Sequence, residues 1–389
     1  MYGLGSYIVQ RYRGLAKRSI YRAWLTGADW LREEFTADKL HRYTNGRYHW
    51  WAYDRVVARE RAAGFHILGL IDYNNTWDGH DHAYMPHYMI RKLSHDFAKY
   101  AYAIARHYRG IINYWQVWNE PDLHLFWHPY PNPTDYARLL RRAYRAIKRA
   151  NPQATVVLGG PSGADPHPLA FIHRVVAAGG RFDVLSVQPY EDVPDLSLLS
   201  EVRALRWYGK PIWFTEMGWA GETNCASVCG TEQSQAVRLA RLYLVAAYAG
   251  VQRVFWYDLR DDGTGAIFED HFGLLEHDLA AKPAFVAYEV SRYFLNRATL
   301  TGVDTLGPQV FAFRFRNHGA QFVVVWNNEL GSYGLRIPWS WGPARVLNWS
   351  GRAVASTGDG VVTMTAYPRS ILYIVPDRLE PRRSMPGPA

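Results

Sequence analysis

The chain has 389 residues, 48% hydrophobic and 20% charged, which is enough apolar sequence to bury a large core and excludes a disordered chain. Two Cys exclude a disulfide-rich scaffold and a four-Cys zinc site, and no apolar run of roughly 18 residues marks a membrane-spanning helix. The net charge of +9 comes mostly from Arg scattered along the chain, so a solvated basic surface is expected rather than a nucleic-acid face.

The N-terminal stretch Met1–Trp24 does not read as a charged-then-apolar leader, so the sequence by itself assigns no compartment. From there, short apolar runs alternate with amphipathic stretches through residues 1–298, the pattern of parallel βαβ units. Strands are expected at Tyr2–Tyr7, Trp30–Phe35, His66–Ile71, Tyr114–Trp118, Thr155–Gly159, Val184–Val187, Ile212–Thr215 and Arg253–Tyr257. Before the fourth strand, Phe97, Tyr100, Ala101, Ile104, Ala105 and Tyr108 recur at helical spacing. After it, Tyr136, Leu139, Leu140, Ala143, Tyr144 and Ile147 mark a helix over Asp135–Ala150, with Thr134 as its N-cap and Asn151-Pro152 as its stop. Leu239, Leu242, Tyr243 and Ala246 repeat the pattern before the eighth strand, and a last helix is expected near Ala284–Leu295. Eight such units predict an α/β fold of the TIM (β/α)8 barrel type. A doubly wound sheet would need a phosphate-binding loop, which neither Gly3-Leu4-Gly5 nor Gly159-Gly160-Pro161 completes.

Beyond the barrel, residues 299–377 change character. Val310–Phe315, Gln321–Trp326, Gly334–Ile337, Arg345–Leu347, Val361–Thr365 and Ile371–Val375 are short, alternating and separated by Gly, Asn and Pro, which predicts a small antiparallel β-domain. The Pro- and Arg-rich stretch 378–389 reads as a frayed tail. Cys225 and Cys229 share one loop and form a small staple or two free thiols; their spacing suits neither a redox CxxC nor a zinc knuckle.

The chemistry-bearing residues fall at strand ends. The fourth strand runs into Asn119-Glu120-Pro121-Asp122, and the seventh into Thr215-Glu216-Met217-Gly218-Trp219. Side chains at the C-terminal ends of barrel strands face the active site, so each strand delivers one Glu to the same rim. One such Glu would read most simply as an ion pair with one of the many Arg. Two at matching strand ends are what glycoside hydrolysis requires: a protonated carboxyl to serve the leaving oxygen and an ionised one across the bond. The 16 Trp, 27 Tyr and 16 Phe fit this reading, because sugar C–H faces pack on aromatic rings.

Asn119-Glu120-Pro121 and Thr215-Glu216, at these strands, resemble the clan A retaining glycoside hydrolases. The run Val117-Trp118-Asn119-Glu120-Pro121-Asp122-Leu123-His124-Leu125-Phe126-Trp127 is similar to glycoside hydrolase family 39, the β-xylosidase and α-L-iduronidase family. The resemblance implies a barrel with a trailing β-domain, an oligosaccharide or polysaccharide substrate, no cofactor, Glu120 as acid/base and Glu216 as nucleophile, the two carboxyls about 5–5.5 Å apart. It also implies that Asn119 binds a sugar 2-hydroxyl and orients Glu216.

Further candidates follow from position. Arg32 is expected to keep Glu216 ionised, or else to pair with Glu33 or Glu34; Asp72 either reaches a sugar hydroxyl or caps its loop. Tyr190 either bonds the nucleophile or is an ordinary loop aromatic. Trp127 is expected to wall the leaving-group side, and Trp256 either floors the sugar or belongs to the core. Gln188 stands where members of the resembled families often carry His; Gln does not titrate near neutrality, which removes a proton relay there. Asp78, His80, Asp81, His82 and His87 invite a metal-dependent barrel hydrolase as an alternative, but the segment reads as a solvated loop with no complementary strand-end ligand, so no metal is expected. A barrel that binds carbohydrate without cleaving it is the remaining alternative. Neither membrane nor nucleic acid is an expected partner, and nothing in the sequence sets an oligomeric state.

Overall fold

Eight parallel strands curl into a barrel. The computed structural model describes residues 1–40, 47–73, 90–163, 168–190, 196–222, 229–357 and 360–379. In chain order its elements are β1 (Tyr2–Gly5), α1 (Ile8–Arg11), α2 (Ala16–Leu25), β2 (Trp30–Thr36), α3 (Ala37–Leu40), α4 (Trp51–Ala62), β3 (His66–Asp72) and α5 (Ile90–His107). They continue with β4 (Tyr114–Val117), α6 (Pro133–Ala150), β5 (Thr155–Val157), α7 (Pro168–Ala177), β6 (Leu185–Val187), α8 (Leu196–Leu205), β7 (Ile212–Met217), α9 (Glu232–Ala249), β8 (Arg253–Trp256) and α10 (Pro283–Leu295). The sheet order β5-β4-β3-β2-β1-β8-β7-β6 leaves one seam, between β5 and β6. A parallel bridge from Val157 to Val184, with Leu158 N donating to Val184 O at 3.1 Å, draws that seam together. No described helix is long and apolar enough to cross a membrane.

The barrel interior is layered. Trp30, Leu68, Val157, Val184, Trp213 and Phe255 plug its lower end. Gly3 is glycine because the Phe255 ring occupies its side-chain space: a Cβ there would meet that ring at 2.6 Å. Above the plug the inward positions turn polar, with Arg32, Gln116, Ser186 and Thr215 all buried. Outward-facing strand residues join the helices in the main core, where Tyr136, Leu139, Leu140, Ala143 and Ile147 of α6 form the apolar stripe that their spacing predicts. The cap of α6 is Asn132 rather than Thr134. Asn132 Oδ1 accepts from Thr134 N and Asp135 N, each at 3.1 Å, and Pro133 takes the first helical position, where its missing N–H costs nothing.

One outward pair is ionisable. Glu33 on β2 accepts from Ser6 Oγ at 2.6 Å and Ile8 N at 2.8 Å, and its charge acts on buried Glu60 of α4. Burial pushes both carboxyls above their usual range, Glu60 further through the Glu33 charge. The folded state therefore holds more protons than the unfolded chain between the ordinary carboxylate range and these raised values, and the pair's contribution to stability falls as pH rises through that window. Glu60→Gln keeps a donor toward Glu33 without ionising. It should raise the melting temperature by about 2–6 °C near pH 8 and leave it nearly unchanged near pH 4, measured by scanning calorimetry. A lower value near pH 8 would contradict the raised pair.

The C-terminal β-domain follows α10 with β9 (Thr299–Gly307), β10 (Val310–Asn317), β11 (Ala320–Asn327), β12 (Tyr333–Pro338), β13 (Ala344–Asn348), β14 (Ala353–Thr357), β15 (Val361–Ala366) and β16 (Ile371–Pro376). Six strands form one antiparallel sheet in the order β14-β13-β16-β11-β10-β9, and β12 pairs with β15. Alternation decides its two faces. Phe313, Phe315, Phe322, Val324 and Trp326 join the barrel core, where Phe294 of α10 stacks on Tyr373 at 4.9 Å. Val310, Ala312, Val323 and Val325 face the β12–β15 pair in a second core. The strands β9 and β14 escape the sequence reading because they are half exposed, and β14 is built of small or polar residues. Cys229 is disulfide-bonded; Cys225, the metal-ligand candidates at 78–87 and the tail from 380 onward lie outside the described residues.

Candidate active site

The polar layer of the barrel is organised by one cation. Arg32 is fully buried and points inward from β2, since Leu31 and Phe35 face the helices. Its Nε donates to Gln116 Oε1 at 2.8 Å, its Nη2 to Asn119 Oδ1 at 2.8 Å, and its Nη1 to Tyr7 Oη at 2.5 Å and to Glu216 Oε1. Arg32 therefore pairs with Glu216. Glu33, the nearer alternative, is bound to Ser6 and Ile8 on the far face of the strand.

Glu216 lies near the end of β7, beside an irregularity in the β7–β8 register between Phe214 and Met217, the kind of local break that re-aims a strand residue. Its Oε1 accepts from Tyr7 Oη at 2.7 Å as well as from Arg32, and its Oε2 accepts from Tyr190 Oη at 3.2 Å. Every one of these partners is a donor. Arg32→Met would leave that carboxylate buried without its cation and should cost about 3–5 kcal/mol of stability, seen as a lowered urea midpoint. Arg32→Lys should lose less stability but not restore the Asn119 and Gln116 bonds.

Glu120 sits across the opening, just past β4. The chain turns sharply there: Trp118 has φ 71° and Glu120 φ 41°, left-handed conformations that cost bulky residues about 1–3 kcal/mol each and concentrate at functional sites. Glu120 N donates to Gly159 O at 3.0 Å, which holds the turn against the strand β5 exit. Burial, the Glu216 charge and then the Asp122 charge push the Glu120 carboxyl well above the usual range, against a hydrogen bond from Ser162 and the Arg32 charge.

Gln188 stands between them. One end of its amide lies 2.8 Å from Asn119 Oδ1, and the other end lies 2.7 Å from Glu120 Oε1 and 3.3 Å from Glu216 Oε2. One atom within reach of both carboxyls draws those two oxygens close together across the opening.

The remaining candidates divide. Asp72 ends β3, buried, beside Glu34 and close enough to Arg32 to raise its basicity. Trp127 is fully buried, edge-on to Trp118 at 5.3 Å and Tyr136 at 5.8 Å; Trp256 is fully buried with its Nε1 donating to Phe272 O at 3.2 Å. Neither indole opens a face to solvent, so both lie behind the site rather than in it. Tyr7 is the residue that sequence reasoning misses: it is the first to turn out of the β1 exit, at φ 45°, and its ring carries the Arg11 guanidinium at 4.5 Å. Its place directly after a barrel strand is the signal that marks it. Among the described residues no group of three or more His, Cys, Asp or Glu is placed to hold a metal ion.

A parallel barrel with two buried carboxyls at its C-terminal rim is the frame of the clan A glycoside hydrolases, and this protein is an O-glycosyl hydrolase of that clan. The chain belongs to glycosyl hydrolase family 53, whose model matches residues 30–242, from β2 into α9. No curated protein matches the sequence significantly. Among solved structures, a family 39 glycoside hydrolase from Bacteroides cellulosilyticus is similar at 23% identity and TM-score 0.80, over 96% of this chain and 80% of that one. A family 30 endoxylanase from Clostridium papyrosolvens is similar at 13% identity and TM-score 0.57, over 96% of this chain and 95% of that one. Fungal β-1,4-galactanases are similar at 17% identity and TM-score 0.54, over 69% of this chain and 89% of theirs. At these identities the likenesses speak for the fold.

Proposed function

We propose that the enzyme cleaves O-glycosidic bonds of an oligosaccharide or polysaccharide with retention, by double displacement, with Glu120 as acid/base and Glu216 as nucleophile. The observation that carries this reading is the single amide atom of Gln188 within 2.7 Å of one carboxyl and 3.3 Å of the other. Glu120 gives its proton to the glycosidic oxygen as the Glu216 carboxylate attacks the anomeric carbon; the C–O bond breaks, the freed sugar or aglycone leaves, and a glycosyl ester remains on Glu216. Water then loses a proton to Glu120 and attacks the same carbon, which releases Glu216 and restores Glu120. Arg32 and Tyr7 hold one oxygen of Glu216, leaving Oε2, with Tyr190 beside it, to form the ester. Asn119 spends its oxygen on Arg32 and Gln188, so its amide nitrogen is the end that meets a sugar hydroxyl.

We further assign the barrel to residues 1–298 and an accessory β-domain to residues 299–377, with 378–389 as a tail. The family 39 structure covers 96% of this chain and so spans both parts, which supports this division. Proton NMR of the first product formed from an oligosaccharide panel tests the mechanism: the anomer released before mutarotation should match that of the substrate bond. Release of the opposite anomer would overturn it.

A further inference from the structure

We infer that Gln188 is a positioning residue that keeps the proton on Glu120: its side-chain carbonyl accepts the Glu120 hydroxyl, in an orientation dictated through Asn119 by Arg32. The inference rests on the acid/base reading of Glu120 and concerns how that acid is kept ready.

The chain of constraint starts from a group that can only donate. A guanidinium has no acceptor, so the Asn119 atom 2.8 Å from Arg32 Nη2 is the amide oxygen. Turning Asn119 over would set its NH2 against the guanidinium. That same oxygen lies 2.8 Å from the nearer end of the Gln188 amide, which must therefore be the NH2. The far end, 2.7 Å from Glu120 Oε1, is then the carbonyl oxygen. Reversing Gln188 would offer its NH2 to Glu120 and Glu216, but it would press its oxygen onto Asn119 Oδ1, already committed to Arg32. Two oxygens at 2.7 Å attract only with a hydrogen between them. Glu216 Oε2, the oxygen nearer this end, already accepts from Tyr190, and the shorter contact is to Glu120, so the hydrogen belongs to Glu120.

The other groups that face Glu120 agree with this. Glu216 from β7 and Asp122 from its own loop favour the neutral acid, Arg32 from β2 opposes it, and the phenols of Tyr73 after β3 and Tyr190 after β6 are uncharged at neutral pH. Gln188 adds what they lack, a fixed acceptor for the proton. A His in its place could present either nitrogen and would itself titrate; the amide holds one orientation at every working pH. When Glu120 gives up its proton to the leaving group, the carbonyl faces a carboxylate, which makes Glu120 the stronger base when water must be deprotonated.

Gln188→Met keeps the length and removes both ends of the amide. In the orientation inferred, the variant loses a dipole that rewards the acid and penalises the carboxylate, so the alkaline limb of kcat/KM should move to lower pH by about one unit. A limb that moves up would mean that the NH2 faces Glu120, and an unmoved limb would mean that Gln188 has no hold on the proton; either overturns the inference. Neutron diffraction of the deuterated wild-type enzyme reads the same point without catalysis: two deuterons are expected on the Gln188 atom beside Asn119, and one between Gln188 and Glu120. Two deuterons on the Gln188 atom beside Glu120 would overturn it even if the Gln188→Met variant failed to fold. Loss of the alkaline limb in Glu120→Gln checks separately that Glu120 is the acid, so failure of that reading is told apart from failure of this one.

Discussion

Glu216→Gly should lower kcat by about 10⁴-fold or more, in the range seen when the nucleophile of a covalent mechanism is removed, and sodium azide should restore turnover of an activated aryl glycoside. The reasoning is geometric. Tyr7, Arg32 and Tyr190 all donate toward the Glu216 carboxylate, so deleting it leaves a cavity lined by donors that a small anion can fill. The azide then takes the place of the carboxylate on the anomeric carbon, and since no second displacement follows, the product is a glycosyl azide of inverted configuration. Arg32 is no longer neutralised in this variant, so it should be checked for folding by circular dichroism. A folded variant that yields no glycosyl azide at high azide concentration would remove Glu216 from the nucleophile's role.

Glu120→Ala should divide substrates by leaving group. An aglycone that departs readily as an anion needs no proton, so its glycosylation step should be slowed little; a sugar leaving group should be slowed by about 10²–10⁴-fold. Equal losses for both would contradict the assignment. The wild-type pH profile of kcat/KM should be bell-shaped, and its alkaline limb should lie above the ordinary carboxylate range, because burial and the facing Glu216 charge raise Glu120. The sign is fixed by the role: an acid works while protonated, so activity on poor leaving groups falls as pH rises through its pKa. Glu120→Ala should lose that limb.

The site shows where one-dimensional reading reaches and where it stops. Asn119-Glu120-Pro121 and Thr215-Glu216 can be matched to strand ends because barrel strands are short apolar runs with definite exits, and exits face one rim. Tyr7 escapes notice although it leaves β1 in the same way, because a Tyr among 27 carries no chemical signature of its own. Residue type points Trp127 toward the sugar and leaves Trp256 open between sugar and core, yet both are closed off in the core. An indole packs equally well against a sugar or against another indole, and sequence carries no term for which neighbour arrives first.

Local patterning by itself determined the barrel, since helical and strand periodicities alternate eight times and each depends on neighbours only a few residues away. It determined too that two carboxyls reach the C-terminal rim of the barrel, and that the last stretch of the chain forms sheet. Only the tertiary structure decided what those carboxyls are. Protonation depends on burial and on charges within a few ångströms, and the groups that act on Glu120 from other elements, Arg32, Ser162 and Glu216, come from separate strands and strand exits far apart along the chain. A pKa is a property of assembled space, and no window of sequence contains that space.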